Sequence, residues 1–152
     1  MRSSPDQHDP DWPRYPETIL RFSTPPVQID LRELPRADAL SKLRAAGFGD
    51  SFAVITAFDP LGRNLSPTEN EERKRKLNRR LRQTGHRYLE VDACSADGSH
   101  CECSVAVIME QDEAIALARD LEQVAIFWFD GLRFWIIGAL VEADPLKLPR
   151  SS

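Results

Sequence analysis

Cysteine is scarce in this chain and its count is odd: three in 152 residues, all between positions 94 and 103. An odd, clustered set argues against a disulfide framework and for a reducing, cytoplasmic setting. Long apolar runs are missing. No stretch approaches the roughly 20 residues that a bilayer span requires, so no membrane partner is expected. The opening MRSSPDQHDPDWPRYP has no apolar centre and does not read as a secretory signal. An excess of positive charge is missing as well. The net charge of −4 gives no global electrostatic reason to bind nucleic acid. There is no internal repeat and no cofactor-binding motif, and no cofactor is expected. What is present, 41% hydrophobic and 29% charged residues, suits one globular domain with a single core.

The most strongly patterned stretch is FAVITAFDPLGRNLSPTENEERKRKLNRRL, from Phe52 to Leu81. Phe52 to Phe58 is an apolar, β-branched run of strand length. Asp59-Pro60 and Gly62 end it, because proline cannot continue a ladder and glycine permits a tight turn. Ser66-Pro67-Thr68-Glu69 then predicts a capping box with proline at the first helical position. Acids lead this helix, bases close it, and Gly85 stops it. Its large apolar residues are Leu77 and Leu81, and seven residues before Leu77 on the same face stands Asn70. A buried carboxamide needs a partner.

The remaining segments read in order. Residues 1–16 are polar and proline-rich and predict a disordered tail. Glu17–Ser23 predicts a short edge strand ended by Pro25-Pro26, and Pro35–Ala46 a helix stopped by Gly47. Arg87–Cys94 and His100–Met109 predict a hairpin about Asp97-Gly98. Asp112–Leu121 predicts an amphipathic helix, and Val124–Phe129 with Arg133–Leu140 a second hairpin about Asp130-Gly131. The expected domain therefore covers 17–141, with a tail over 142–152. Strand, helix, strand, strand, helix, strand, strand predicts an α+β fold: a ferredoxin-like split βαβ pattern, with an antiparallel or mixed sheet and helices on one face.

The pattern of Phe52–Pro60 with Ser66, Asn70 and Leu77, then Glu102 and Ser104, then Ala118, Gln123 and Ala125, resembles the DUF3293 family of small bacterial domains. The resemblance spans roughly residues 51–137. It implies a shared domain and a shared polar set, and no assigned activity. The chain departs from the family pattern at Asp59, where asparagine is usual, and around Ser99–Ser104, which lacks the family's tryptophan turn and proline.

Several constellations could carry chemistry. Cys94, His100, Cys101 and Cys103 have poor spacing for zinc, and alternation places Cys101 and Cys103 with Val105 and Val107 on a core face, so no metal is expected. Glu102 and Ser104 then share the other face. They are the weak catalytic candidates, Glu102 as a general acid/base, but no histidine is placed by pattern to activate Ser104. Arg73, Lys74, Arg75, Lys76, Arg79, Arg80 and Arg82 put seven positive charges within ten residues. A solvated helix end explains such a run without a partner, and no aromatics interleave it to stack bases. Trp128, Phe129, Phe134 and Trp135 read as core, or as the face of a homodimer.

Thr56, Asp59, Asn70, Glu102, Ser104 and Gln123 each interrupt or border an apolar element: they are the expected ligand-binding set if they converge on a pocket, and otherwise a satisfied hydrogen-bond network that fixes the helix on the sheet. The expected role is a small binding or interaction module for a small molecule or protein, leaning away from an enzyme. An enzyme using Glu102 as general acid/base, and docking of phosphates or an acidic partner by the basic helix 73–82, are the alternatives.

Overall fold

Alternating apolar residues build strands that pair across long sequence distances. The computed structural model describes residues 12–150. Its strands are β1 (Ile19–Phe22), β2 (Val27–Asp30), β3 (Phe52–Thr56), β4 (Tyr88–Cys94), β5 (Cys101–Val107), β6 (Ala125–Phe129), β7 (Phe134–Gly138) and β8 (Leu146–Lys147). They form one antiparallel sheet in the order β2-β1-β4-β5-β3-β6-β7-β8, curled into a half-barrel. Three helices accompany them: α1 (Ala37–Ala45), α2 (Pro67–Gln83) and α3 (Gln111–Asp120).

Both faces of the sheet are covered, each by its own apolar cluster. On one face Leu20, Val27, Phe52, Phe129, Phe134 and Leu148 share a cluster with Leu43 of α1. Residues of β2 and β7, far apart in the strand order, meet there because the sheet curls around this face. Phe52 sits at the centre of an aromatic group, with ring centroids 5.7, 5.0 and 5.9 Å from Phe48, Phe129 and Phe134. On the opposite face Ile55, Val105, Val107 and Ile126 pack against Leu77 and Leu81 of α2 and Leu117 of α3. Period-two alternation decides which side each strand residue joins.

This architecture corrects the expected ferredoxin-like split βαβ fold with helices on one face. The sheet has eight strands, and helices lie on both of its faces. Local pattern missed the difference because the added strands are recruited by distant partners. Ile19 of β1 pairs with Cys94 of β4, so β1 is an interior strand and not an edge. Pro25-Pro26 falls in the turn between β1 and β2 and does not end the sheet. At the other end β8 extends the ladder through Ile136 and Leu146 within the expected tail, and Leu148 is buried. Trp12–Glu17 form a 3₁₀ turn, with Trp12 and Tyr15 packed on the core, where a disordered tail was expected. The rest of that predicted tail, residues 1–11, lies outside the described residues.

The α2 capping box forms as its sequence dictates. The Ser66 hydroxyl accepts from the Glu69 amide at 3.1 Å, and Glu69 accepts from the Ser66 amide at 3.2 Å. Among the described residues no helix is long and apolar enough to cross a membrane.

Candidate functional site

The chain leaves β3 through a loop held by hydrogen bonds with β5, α2 and the end of α3. Thr56, the last residue of β3, donates its hydroxyl to the Cys103 carbonyl (2.9 Å) and accepts from the Phe58 amide (3.0 Å). This turns the backbone out of the ladder. Asp59 and Leu61 then adopt left-handed conformations (φ 46° and 55°), unusual for residues with a Cβ. Asn70, buried on α2, stabilises that geometry. Its carboxamide oxygen accepts from the Asp59 amide and its nitrogen donates to Asp59 Oδ1, both at 3.0 Å. The Leu65 amide donates to the same Oδ1 at 3.0 Å. From the end of α3, Gln123 Nε2 donates to the Phe58 carbonyl (2.9 Å) and the Glu122 carbonyl accepts from Leu61 (2.9 Å). Arg73 of α2 donates to the Ala57 carbonyl (2.6 Å) and to the Leu121 carbonyl.

Beside this loop lies a cleft of about 430 Å³. Its floor follows one face of the sheet: Val54 and Thr56 of β3, Glu102 and Ser104 of β5, Ala93 of β4, and Ala125 and Phe127 of β6. Thr56 and Ser104 are cross-strand partners, as are Ala93 and Glu102, so the polar residues occupy adjacent rows. One wall is Arg14, Tyr15, Glu17 and Thr18. Another lip, next to Thr18 because Ile19 pairs with Cys94, is the β4–β5 hairpin with His100.

That lip is locally rigid. Asp97 Oδ1 accepts from the Ser95 hydroxyl (2.7 Å), the Ser99 amide (3.0 Å) and the Ser99 hydroxyl (2.8 Å). These bonds stabilise the anion and lower the Asp97 pKa to about 2. Below the turn, Cys94 and Cys101 face each other across the ladder and form a disulfide. This corrects the expectation of unpaired cysteines facing the core. Cys101 is exposed because it lies at the hairpin end, beyond the cover of the helices. Cys103, half-buried, keeps its thiol, and burial raises its pKa.

Four lining carboxylates, Glu17, Asp59, Asp97 and Glu102, stand against one arginine, so the cleft is acidic. The ligand atoms of Asp59, His100 and Glu102 all lie within 4.8 Å of one another. His100 Nε2 is 3.8 Å from Glu102 Oε2. Burial pushes the Asp59 pKa up. Hydrogen bonds from Asn70, Leu65 and Glu102, and then the charge of His100, outweigh that and leave it below the usual carboxylate value.

The six residues singled out by sequence therefore divide. Thr56, Asp59, Glu102, Ser104 and Gln123 line the cleft, and Asn70 stands behind it as the clamp on Asp59. His100, weighed in the sequence as a zinc ligand, also lines the cleft, as do Arg14 and Tyr15 from the stretch expected to be a disordered tail. Only tertiary contact brings these residues to the cleft. The basic run of α2 is mostly engaged within the chain. Arg73 holds carbonyls, Lys74 meets Glu90 (3.8 Å), Lys76 meets Glu72 (3.6 Å), Arg80 meets Asp120 (3.1 Å) and Arg82 donates to the Tyr88 hydroxyl (3.3 Å).

The sequence profile of a family described as a protein of unknown function, DUF3293, matches residues 55–126. That span holds all six polar residues and His100, but not the Arg14–Thr18 wall. No curated protein and no solved structure gives a significant match.

Proposed function

We propose, for a chain that belongs to the DUF3293 family through residues 55–126, that it is a binding module whose cleft takes a compact, polar, positively charged ligand. The observation that supports this most directly is the clustering of Asp59, Glu102, Ser104, Gln123 and Thr56 around one acidic cavity of about 430 Å³. That size falls in the range of small-molecule sites, roughly 300–1,000 Å³. The apolar floor of Val54, Ala125 and Phe127 supplies contact area, and the carboxylates supply orientation and charge preference.

Binding is favoured over acyl transfer by the state of Ser104. Its hydroxyl donates to the Glu102 carbonyl at 3.2 Å, and among the described residues no imidazole is bonded to it. A serine without a base is a weak nucleophile. The test is a thermal-shift screen of wild type and Glu102→Gln against amines, guanidines, amino acids and neutral and anionic metabolites. Cationic compounds should raise the wild-type midpoint and leave that of Glu102→Gln unmoved. A screen in which only anions stabilise, or nothing does, overturns the proposal.

A further inference from the structure

We infer that Asp59, His100 and Glu102 form a site for a divalent transition-metal ion of the zinc, manganese or iron(II) class at the mouth of the cleft. The inference rests on the binding role proposed above and names the cation. Its basis is the donor set. One imidazole and two carboxylates, from a loop and a strand distant in sequence, bring their ligand atoms within 4.8 Å of one another. Donors around a metal held at about 2.1 Å stand roughly 3–3.4 Å apart, so side-chain rotations of about an ångström would close the set. His100 and Glu102 are two residues apart at the start of β5, where alternation puts both on the cleft side.

Two further features fit a coordinating role. The Asn70 and Leu65 donors both go to Asp59 Oδ1, which fixes the carboxylate beside Glu102, with which it also shares a hydrogen bond. Ligating carboxylates are commonly oriented in this way by an outer partner. Independently of the cluster, Gln123 lines the cleft and is 7% exposed. Its nitrogen is fixed on the Phe58 carbonyl, and its carbonyl oxygen has no partner among the described residues. An acceptor on the cleft lining suits a hydrogen bond to a metal-bound water. Mixed nitrogen and oxygen donors favour zinc, manganese, cobalt or iron(II) over calcium and magnesium, which take all-oxygen shells. Thiolate ligation does not compete here, because Cys94 and Cys101 are joined and Cys103 lies on the opposite face of β5 from Glu102.

The test uses the full chain, stripped with a chelator and kept free of reductant, titrated calorimetrically with Zn²⁺, Mn²⁺, Co²⁺, Mg²⁺ and Ca²⁺. Zn²⁺ or Co²⁺ should bind with one ion per chain, and Mg²⁺ and Ca²⁺ far more weakly. His100→Gln, at an exposed position, should weaken binding by at least about tenfold, and Asn70→Ser by about 10–100-fold. The Co²⁺ complex should show visible d–d bands without thiolate charge transfer, and Cys103→Ser should bind as wild type does. Absence of transition-metal binding, unchanged affinity in His100→Gln, or a thiolate band overturns the inference. If metals fail but an amine stabilises wild type and not Glu102→Gln, the metal site falls and the cleft proposal stands. If neither binds, both fall.

Discussion

The two ends of a single sheet face are built from opposite materials. At one end Phe48, Phe52, Phe129 and Phe134 seal the face with four buried rings. At the other, along the same strands, Thr56, Ser104, Glu102 and Gln123 surround an open acidic cleft. On β3 the change takes four residues: Phe52 and Val54 point into the apolar cluster, and Thr56 faces the cleft. The strand carries both because side chains two apart share a face while the backbone ladder continues unchanged. Stability is concentrated at the sealed end and chemical potential at the open end, and the loop from Ala57 to Leu65 is pinned between them.

Substitutions should separate the two ends by size of effect. Phe52→Ala removes the ring that touches three others and should cost about 3–5 kcal/mol in urea unfolding. Asn70→Ala strands the Asp59 amide and removes one of the two donors to its Oδ1, and should cost about 1–3 kcal/mol by the same measurement. Glu102→Gln should change stability by no more than about 0.5 kcal/mol in either direction, since relief of crowded carboxyls offsets lost contacts. A loss as large as that of Asn70→Ala would make Glu102 part of the scaffold and break the comparison.

The smallest effect concerns pH, and it sets the two Asp-Gly turns side by side. Asp97 at the cleft lip has its pKa lowered from 3.8 to about 2, by amide and hydroxyl donors. Asp130, in the β6–β7 turn, is raised by burial, but donors from Arg133, Trp135 and Leu132 leave it below 3.8. A depressed carboxylate contributes stability above its unfolded pKa, and the contribution is lost as pH falls through the folded one. Thermal midpoints of Asp97→Asn and Asp130→Asn should therefore fall less steeply than that of wild type as pH drops below 3.8. For Asp97 the divergence from wild type should continue down to about pH 2. A parallel decline in wild type and variants would mean that the unfolded chain keeps the same turns.

Local chemistry was legible where the chain speaks to its near neighbours. Ser66 and Glu69 announce the start of α2, Asp97-Gly98 and Asp130-Gly131 announce hairpins, and the position of Asn70 beside Leu77 announces a buried amide awaiting a partner. That partner, Asp59, was among the residues singled out, but the pairing itself was not visible. Global form was not legible. Nothing within Ile19–Phe22 says that it will lie between β2 and β4, and nothing in Leu146–Lys147 says that it will extend the ladder beyond β7. The ferredoxin-like expectation failed on these distant recruits. The cysteines misled for the same reason: Cys94 and Cys101 become partners only once β4 and β5 are in register. His100 gains its meaning from Asp59, 41 positions earlier in the chain.

One feature of the cleft separates what is held from what selects. The loop, its amide clamp and the carboxylates of Asp59, Asp97 and Glu102 lie inside residues 55–126, whereas Arg14, Tyr15, Glu17 and Thr18 come from a 3₁₀ turn and its exit well before that span. Their side chains appear in none of the hydrogen bonds that fix Asp59 to α2. Exchange of those four residues can therefore retune the shape and charge of the entrance while the anchoring groups stay in register. The entrance and the anchoring groups are thus carried by separate stretches of the chain.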